Sequence, residues 1–99
     1  MLIVAGTIDV EPGQRDEFLA GRREAILAAL AEPGCIEYAF SADAIDPGRV
    51  RIFEKWESKD TLAAHLQGMS SRPQPAATVT VLGRDLLQYE VSGTGPLGS

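Results

Sequence analysis

Apolar and polar positions alternate over residues 2–11 and then change to a helical rhythm between 13 and 32. In the first stretch Leu2, Val4, Gly6, Ile8 and Val10 share one face, and Ile3, Ala5, Thr7, Asp9 and Glu11 share the other. Both faces begin apolar and only the second turns polar. That is the pattern of a strand covered by helices on one side and partly covered on the other. Pro12-Gly13 stops it. Residues 13–32 predict a long helix closed by Pro33-Gly34. On a helical wheel Phe18, Leu19, Ala25, Ile26, Ala29 and Leu30 occupy one arc, with Arg22 near its middle and Arg15 one heptad earlier.

Residues 35–44 alternate again, and Asp46-Pro47-Gly48 is a strong turn signal before a third strand over 49–57. In that strand Val50, Ile52, Glu54 and Trp56 oppose Arg51, Phe53, Lys55 and Glu57. Neither face is purely apolar, so another chain or a ligand is expected to cover part of it. Ser58 is placed to cap a second helix, with Asp60 in its first turn and Leu62, Leu66 and Met69 as a narrow apolar stripe. His65 falls at the border of that stripe, where partial exposure is expected. Gly68 to Pro75 is expected to break the helix, with Arg72-Pro73 and Gln74-Pro75 as a stiff connector. Residues 76–82 and 86–91 are strand-like around a bulge or bend at 83–85, and this long last strand could reach beyond the sheet of its own chain. Residues 93–99 have the composition of a flexible tail, in part readable as an appended sequence. The order strand, helix, strand, strand, helix, strand is the ferredoxin-like α+β arrangement, an antiparallel sheet with both helices on one face. Two such sheets packed face to face about a two-fold axis would cover the remaining face.

Composition narrows the classes of function. A chain of 99 residues is one small domain, in which self-association is a natural way to bury more surface. A net charge of −5 with scattered Lys and Arg argues against nucleic-acid binding. One cysteine, Cys35, excludes an intrachain disulfide, and with one histidine the donor count argues against a zinc site within one chain. No basic leader is visible, and no apolar run approaches the roughly 20 residues of a membrane helix. A cytoplasmic protein is expected.

The chain resembles the antibiotic-biosynthesis monooxygenase family of dimeric α+β barrel proteins. The resemblance rests on Ile3-Val4-Ala5-Gly6-Thr7, Glu11-Pro12-Gly13, Phe18, Glu32-Pro33-Gly34-Cys35, Tyr38, Asp46-Pro47, Phe53 to Ser58 and Leu62 to Leu66. It spans residues 2–91, so residues 1–92 are taken as a single domain of this type. The resemblance implies a homodimer with a cavity between sheet and helices in each chain. It also implies oxidation of small electron-rich aromatics such as quinols, anthrones or polyketides by O2, without metal or flavin. Deprotonation turns such a substrate into an enolate able to give an electron to oxygen, so the protein has only to bind, deprotonate and shield the anion.

In this setting His65 is the candidate base, because imidazole titrates near working pH. Arg22 could hold an acidic or phenolate oxygen, or simply lay its stem along apolar surface. Tyr38, Tyr89 and Arg72 are candidate contacts to substrate. Trp56 could wall a flat ring, although core is the commoner place for such a residue. Cys35 is expected to be a small packing residue rather than a nucleophile. Many relatives carry a second His or an aromatic shortly after the position of His65, where this chain has Gly68-Met69-Ser70-Ser71-Arg72-Pro73. The haem-degrading branch needs a later axial His and an Asn in the first strand. Here Pro75 stands in the axial region and there is no Asn, which argues against haem degradation. Two further readings remain on the same scaffold: a non-oxidative cyclase or isomerase using His65 as acid or base, and a small-ligand-binding dimer without catalysis.

Overall fold

The computed structural model describes residues 1–71 and 78–98. Strand β1 (Leu2–Val10) leads through a 3-10 turn (Pro12–Gln14) into helix α1 (Arg15–Leu30). Strands β2 (Cys35–Ala42) and β3 (Arg49–Trp56) form a hairpin, followed by helix α2 (Lys59–Ser71) and strand β4 (Val81–Glu90). All neighbours in the sheet are antiparallel, in the order β2-β3-β1-β4. This is the βαββαβ order expected from the alternation of periods.

Residues paired across antiparallel strands share a face, so the register defines the inner surface row by row. One row is Tyr38, Glu54, Val4 and Gln88; the next is Phe40, Ile52, Gly6 and Leu86; the third is Ala42, Val50, Ile8 and Arg84. Two buried clusters pack the helices onto this surface. Leu2, Ala29, Tyr38, Trp56 and Leu62 form one, and Ile8, Val10, Phe18, Val50 and Ile52 the other. The gap between them lies over Glu54, Ile52 and Val4.

The turn from α1 into β2 fixes how the two helices meet. Gly34 has φ +81°, and a Cβ there would run into the side chain of Thr61. Thr61 is itself part of a reciprocal cap: its N–H donates to Ser58 Oγ at 3.2 Å, while the Ser58 N–H donates to Thr61 Oγ1 at 3.2 Å. The end of α1 is thereby seated on the start of α2, one turn before His65. Farther along the sheet, Gly6 (φ +155°) brings β1 and β4 together so closely that a Cβ would collide with the backbone carbonyl of Asp85.

Some boundaries differ from the pattern-based expectation. Helix α1 begins at Arg15, because Pro12–Gln14 form a tighter turn first. Helix α2 runs through Gly68 to Ser71; a single glycine costs a helix only about 1 kcal/mol against alanine. Strand β4 is continuous through residues 83–85, and its irregularity falls at Leu82, where the pairing shifts between Asp9 and Val10. The expected connector at Arg72 to Pro75, and the predicted strand start at Ala76, lie outside the described residues. No helix among the described residues is long and apolar enough to cross a membrane.

The other face of the sheet carries Ile3, Ala5, Ala39, Phe53, Leu87 and Tyr89, and neither helix covers it. Every residue of β4 is exposed, Leu82 at 59% and Leu87 at 57% included.

Candidate functional site

Between the helices and the inner face lies a cavity of about 320 Å³. Its floor is the central rows of the sheet: Val4, Tyr38, Phe40, Ile52 and Glu54, with Leu86 and Arg84 from β4. Helix α1 contributes Arg22, Ala25 and Ile26, and α2 contributes Leu62, His65, Leu66 and Met69. A volume of this size is that of a small-molecule site, and a largely apolar lining with a few polar groups suits a flat organic ligand.

His65 is not the half-exposed border residue that the helical wheel suggests; it is only 4% exposed. The seating of α1 on α2 explains this, because it brings Glu32 over the imidazole. Glu32 Oε2 lies 2.8 Å from His65 Nδ1. A carboxylate there accepts from Nδ1–H and thereby selects the tautomer whose Nε2 carries the lone pair. The ring is held from two further sides. Trp56 lies tilted against it with centroids 4.7 Å apart, and Tyr38 meets it edge-on at 5.4 Å. Nε2 is buried and has no hydrogen-bond partner among the described residues. An unpaired buried acceptor costs about 1–3 kcal/mol, so this atom gains from any donor that a ligand brings. A ligand must shift neighbouring side chains slightly to reach it.

Glu54 is the second acid–base group. It is 7% exposed and accepts a hydrogen bond from Trp56 Nε1 at 3.0 Å. Burial pushes its carboxyl above the usual glutamate value, against the opposing pull of the Trp56 donor and of His65. Beside it in the same row, Tyr38 stacks on Phe40 at 5.5 Å, and burial pushes its hydroxyl up to about 12. Tyr38 is therefore a neutral O–H donor at any working pH. Arg22 projects from the inward stripe of α1, its guanidinium 5.2 Å from the centre of the Phe18 ring.

The structure thus brings His65, Arg22 and Tyr38 to one cavity. Trp56 is fully buried behind His65, supporting it and not lining the cavity. Tyr89 pairs with Ile3 on the opposite face of the sheet and is half-exposed there, away from the cavity. Arg72 lies outside the described residues. Burial raises the Cys35 thiol above its ordinary value, as a packing residue requires and a nucleophile does not. Arg15 points elsewhere, with Nη1 donating to the carbonyls of Asp43 (3.1 Å) and Asp46 (2.7 Å) to fix the β2–β3 loop.

Three residues of the site are not evident from spacing alone: Glu32, Glu54 and Arg84. Two of them leave a trace. A glutamate just past the C-terminus of a helix opposes the helix dipole, so it calls for a compensating donor. A glutamate sharing a strand face with Val50, Ile52 and Trp56 calls for a reason to be buried. Arg84 depends on the register of β4 against Ile8, which residue spacing does not reveal.

A family model described as antibiotic biosynthesis monooxygenase matches residues 1–72. An uncharacterised protein from Synechocystis is 36% identical over 66 residues, covering 67% of this chain and 45% of that protein. The chain therefore spans less than half the length of this curated relative. Among solved structures, a candidate antibiotic biosynthesis monooxygenase from Deinococcus radiodurans superposes with a TM-score of 0.79 at 22% identity, over 100% of both chains. The haem degrader MhuD from Mycobacterium tuberculosis superposes with a TM-score of 0.77 at 18% identity, over 97% of this chain and 100% of that one. At these identities the structural likeness is one of fold.

Proposed function

This chain belongs to the antibiotic biosynthesis monooxygenase family, and from that premise we propose that it oxidises a small electron-rich aromatic with O2, using His65 as the base. The observation that carries the reading is the His65–Glu32 pair beside the cavity, with Nε2 left as an unpaired acceptor. A phenolic or enolic O–H of the substrate donates to Nε2 and then transfers its proton there. The resulting imidazolium is stabilised by the Glu32 carboxylate on its other nitrogen. Tyr38 donates to a substrate oxygen, and the apolar walls keep bulk water from the anion. The electron-rich anion then reduces O2. For an anthrone-type methylene, one oxygen atom becomes the new carbonyl oxygen and the other leaves as water, so no external reductant is needed.

The reading includes a homodimer, supported by the uncovered outer face and by the exposed length of β4. It does not include haem. A hydroxyl needs one atom's width beside Nε2, whereas a porphyrin needs an open face on its axial ligand. Here Nε2 is buried and the ring is packed against Trp56 and Tyr38.

Oxygen uptake with a panel of quinols and anthrones tests the proposal. Turnover above background is expected, with a loss of about 10²-fold or more in His65→Ala, the usual scale for a positioned base. Absence of turnover across the panel, or equal turnover by His65→Ala, would sink it. One observation favours a second reading: His65 and Glu54, a base and a raised carboxyl, line the same cavity. Such a pair suits an isomerisation or cyclisation, with one group taking a proton and the other giving one. Substrate conversion under strict exclusion of O2 distinguishes it.

A further inference from the structure

The charged groups around the cavity do not match the charge of the protein. The chain as a whole carries −5, yet two arginines line this cavity, Arg22 from α1 and Arg84 from β4. The one carboxyl among the lining residues, Glu54, is held toward its neutral form by burial.

Both arginines are placed there by the fold. Arg22 stands one turn from buried Phe18 and one turn from Ile26, which packs on the core, so its half-buried stem rises from the inward stripe of the helix. Arg84 pairs with buried Ile8, so its side chain belongs to the helix-side face of the sheet. Among the described residues neither guanidinium has a carboxylate within ion-pair distance, although the chain forms such pairs elsewhere, at Arg49–Asp9 and Arg51–Asp43. Arg22 stands over the Phe18 ring, its guanidinium 5.2 Å from the ring centre. Arg22 is half-buried and Arg84 is exposed, and positive charge at the wall of an apolar cleft focuses the field on whatever enters. Guanidinium groups also bind planar oxyanions through paired N–H donors.

We propose that Arg22 and Arg84 together bind an anionic group of the ligand, so that this cavity takes a small aromatic acid carrying a carboxylate-type oxyanion as well as a hydroxyl. The inference rests on the oxygenase reading only for the aromatic hydroxyl. The charge selection stands on the two arginines alone. The apolar floor takes the ring, the His65 side takes the hydroxyl, and the arginines take the acid.

The test is calorimetric titration of the purified protein with 1-hydroxy-2-naphthoate and with 1-naphthol, which differ by the carboxylate. The acid is expected to bind at least about tenfold tighter at low ionic strength, with the margin shrinking as salt is raised. Arg22→Gln and Arg84→Gln should each reduce that preference several-fold, and the double variant should abolish it. His65→Asn should retain the preference, because it touches the hydroxyl side only. Thermal melts of each variant check folding, and the salt dependence of the unaltered protein stands as a measurement that needs no variant. Equal affinity for the two probes, binding of neither, or a preference that survives the double variant would overturn the proposal. A charge preference without oxygen uptake would leave the arginine site standing and remove the oxygenase reading; uptake without the preference would do the reverse.

Discussion

At the scale of single residues, the site depends on two glutamates doing different work. Glu32 orients an imidazole from outside the cavity, and Glu54 presents a buried carboxyl inside it. Glu32→Gln keeps the side chain's shape but replaces the anion that selects the Nδ1–H tautomer and stabilises the imidazolium. Turnover should fall by about tenfold or more, toward the range set by losing a positioned base; a Glu32→Gln enzyme with unaltered rate would show that the pair is only structural. Glu54 makes a prediction about stability. Its carboxyl is raised in the folded protein above the ordinary value of 4.5, so the folded state holds a proton that the unfolded chain gives up first. Its contribution is fully present below about pH 4.5 and is lost as pH rises through the raised folded value. Urea unfolding measured from pH 4 to 8 should therefore show a decline that Glu54→Gln flattens. An identical slope in the variant would contradict the assignment.

At the scale of elements, the position of His65 follows from a turn. Gly34 adopts φ +81° against Thr61, so Gly34→Ala combines a strained backbone with a collision in the cap of α2. A loss of about 1–3 kcal/mol in unfolding free energy is expected, with an altered 15N shift at His65 Nδ1 as the hydrogen bond to Glu32 loosens; a variant as stable as the parent would rule this role out. The same turn shows where sequence reading reached its limit. Alternation in β1 and β3, the Asp46-Pro47-Gly48 turn and the Ser58 cap are local signals, and each element they predict is present. His65 on its helix wheel looked half-exposed, because the wheel sees Leu62, Leu66 and Met69 but not the end of α1 folding over it. Glu32, Arg84 and the eventual place of Tyr89 depend on which strand or helix end lies opposite, information that resides in register and not in period. Tyr89 illustrates the point: shifting one position along β4 moves a side chain to the other face, and its pairing with Ile3 sends it away from the cavity.

At the scale of the whole molecule, the two faces of the sheet have separate tasks. The helix-covered face encloses the cavity. The other face leaves Phe53, Ile3, Ala5 and Leu87 without a covering helix, beside a β4 that is exposed throughout. A second copy of the chain is the cover that the proposed function includes. Light scattering should give twice the mass of the chain at micromolar concentration, and Phe53→Glu together with Leu87→Asp should shift it toward monomer. A parent protein that stays monomeric across concentration would contradict the homodimer. Because β4 also supplies Arg84 and Leu86 to the cavity, loss of the second copy should weaken ligand binding as well.

The cavity is built around an imidazole whose Nδ1 is engaged by Glu32 and whose Nε2 is unpaired among the described residues. The chain has one histidine, so its ring nitrogens give a single, unambiguous set of signals in a long-range 15N–1H correlation spectrum. Recorded above the ordinary imidazole range, at about pH 8.5, the spectrum should show a protonated Nδ1 and an unprotonated Nε2, the latter shifting when 1-naphthol is added. A protonated Nε2, or an Nε2 signal that ignores the ligand, would contradict the account.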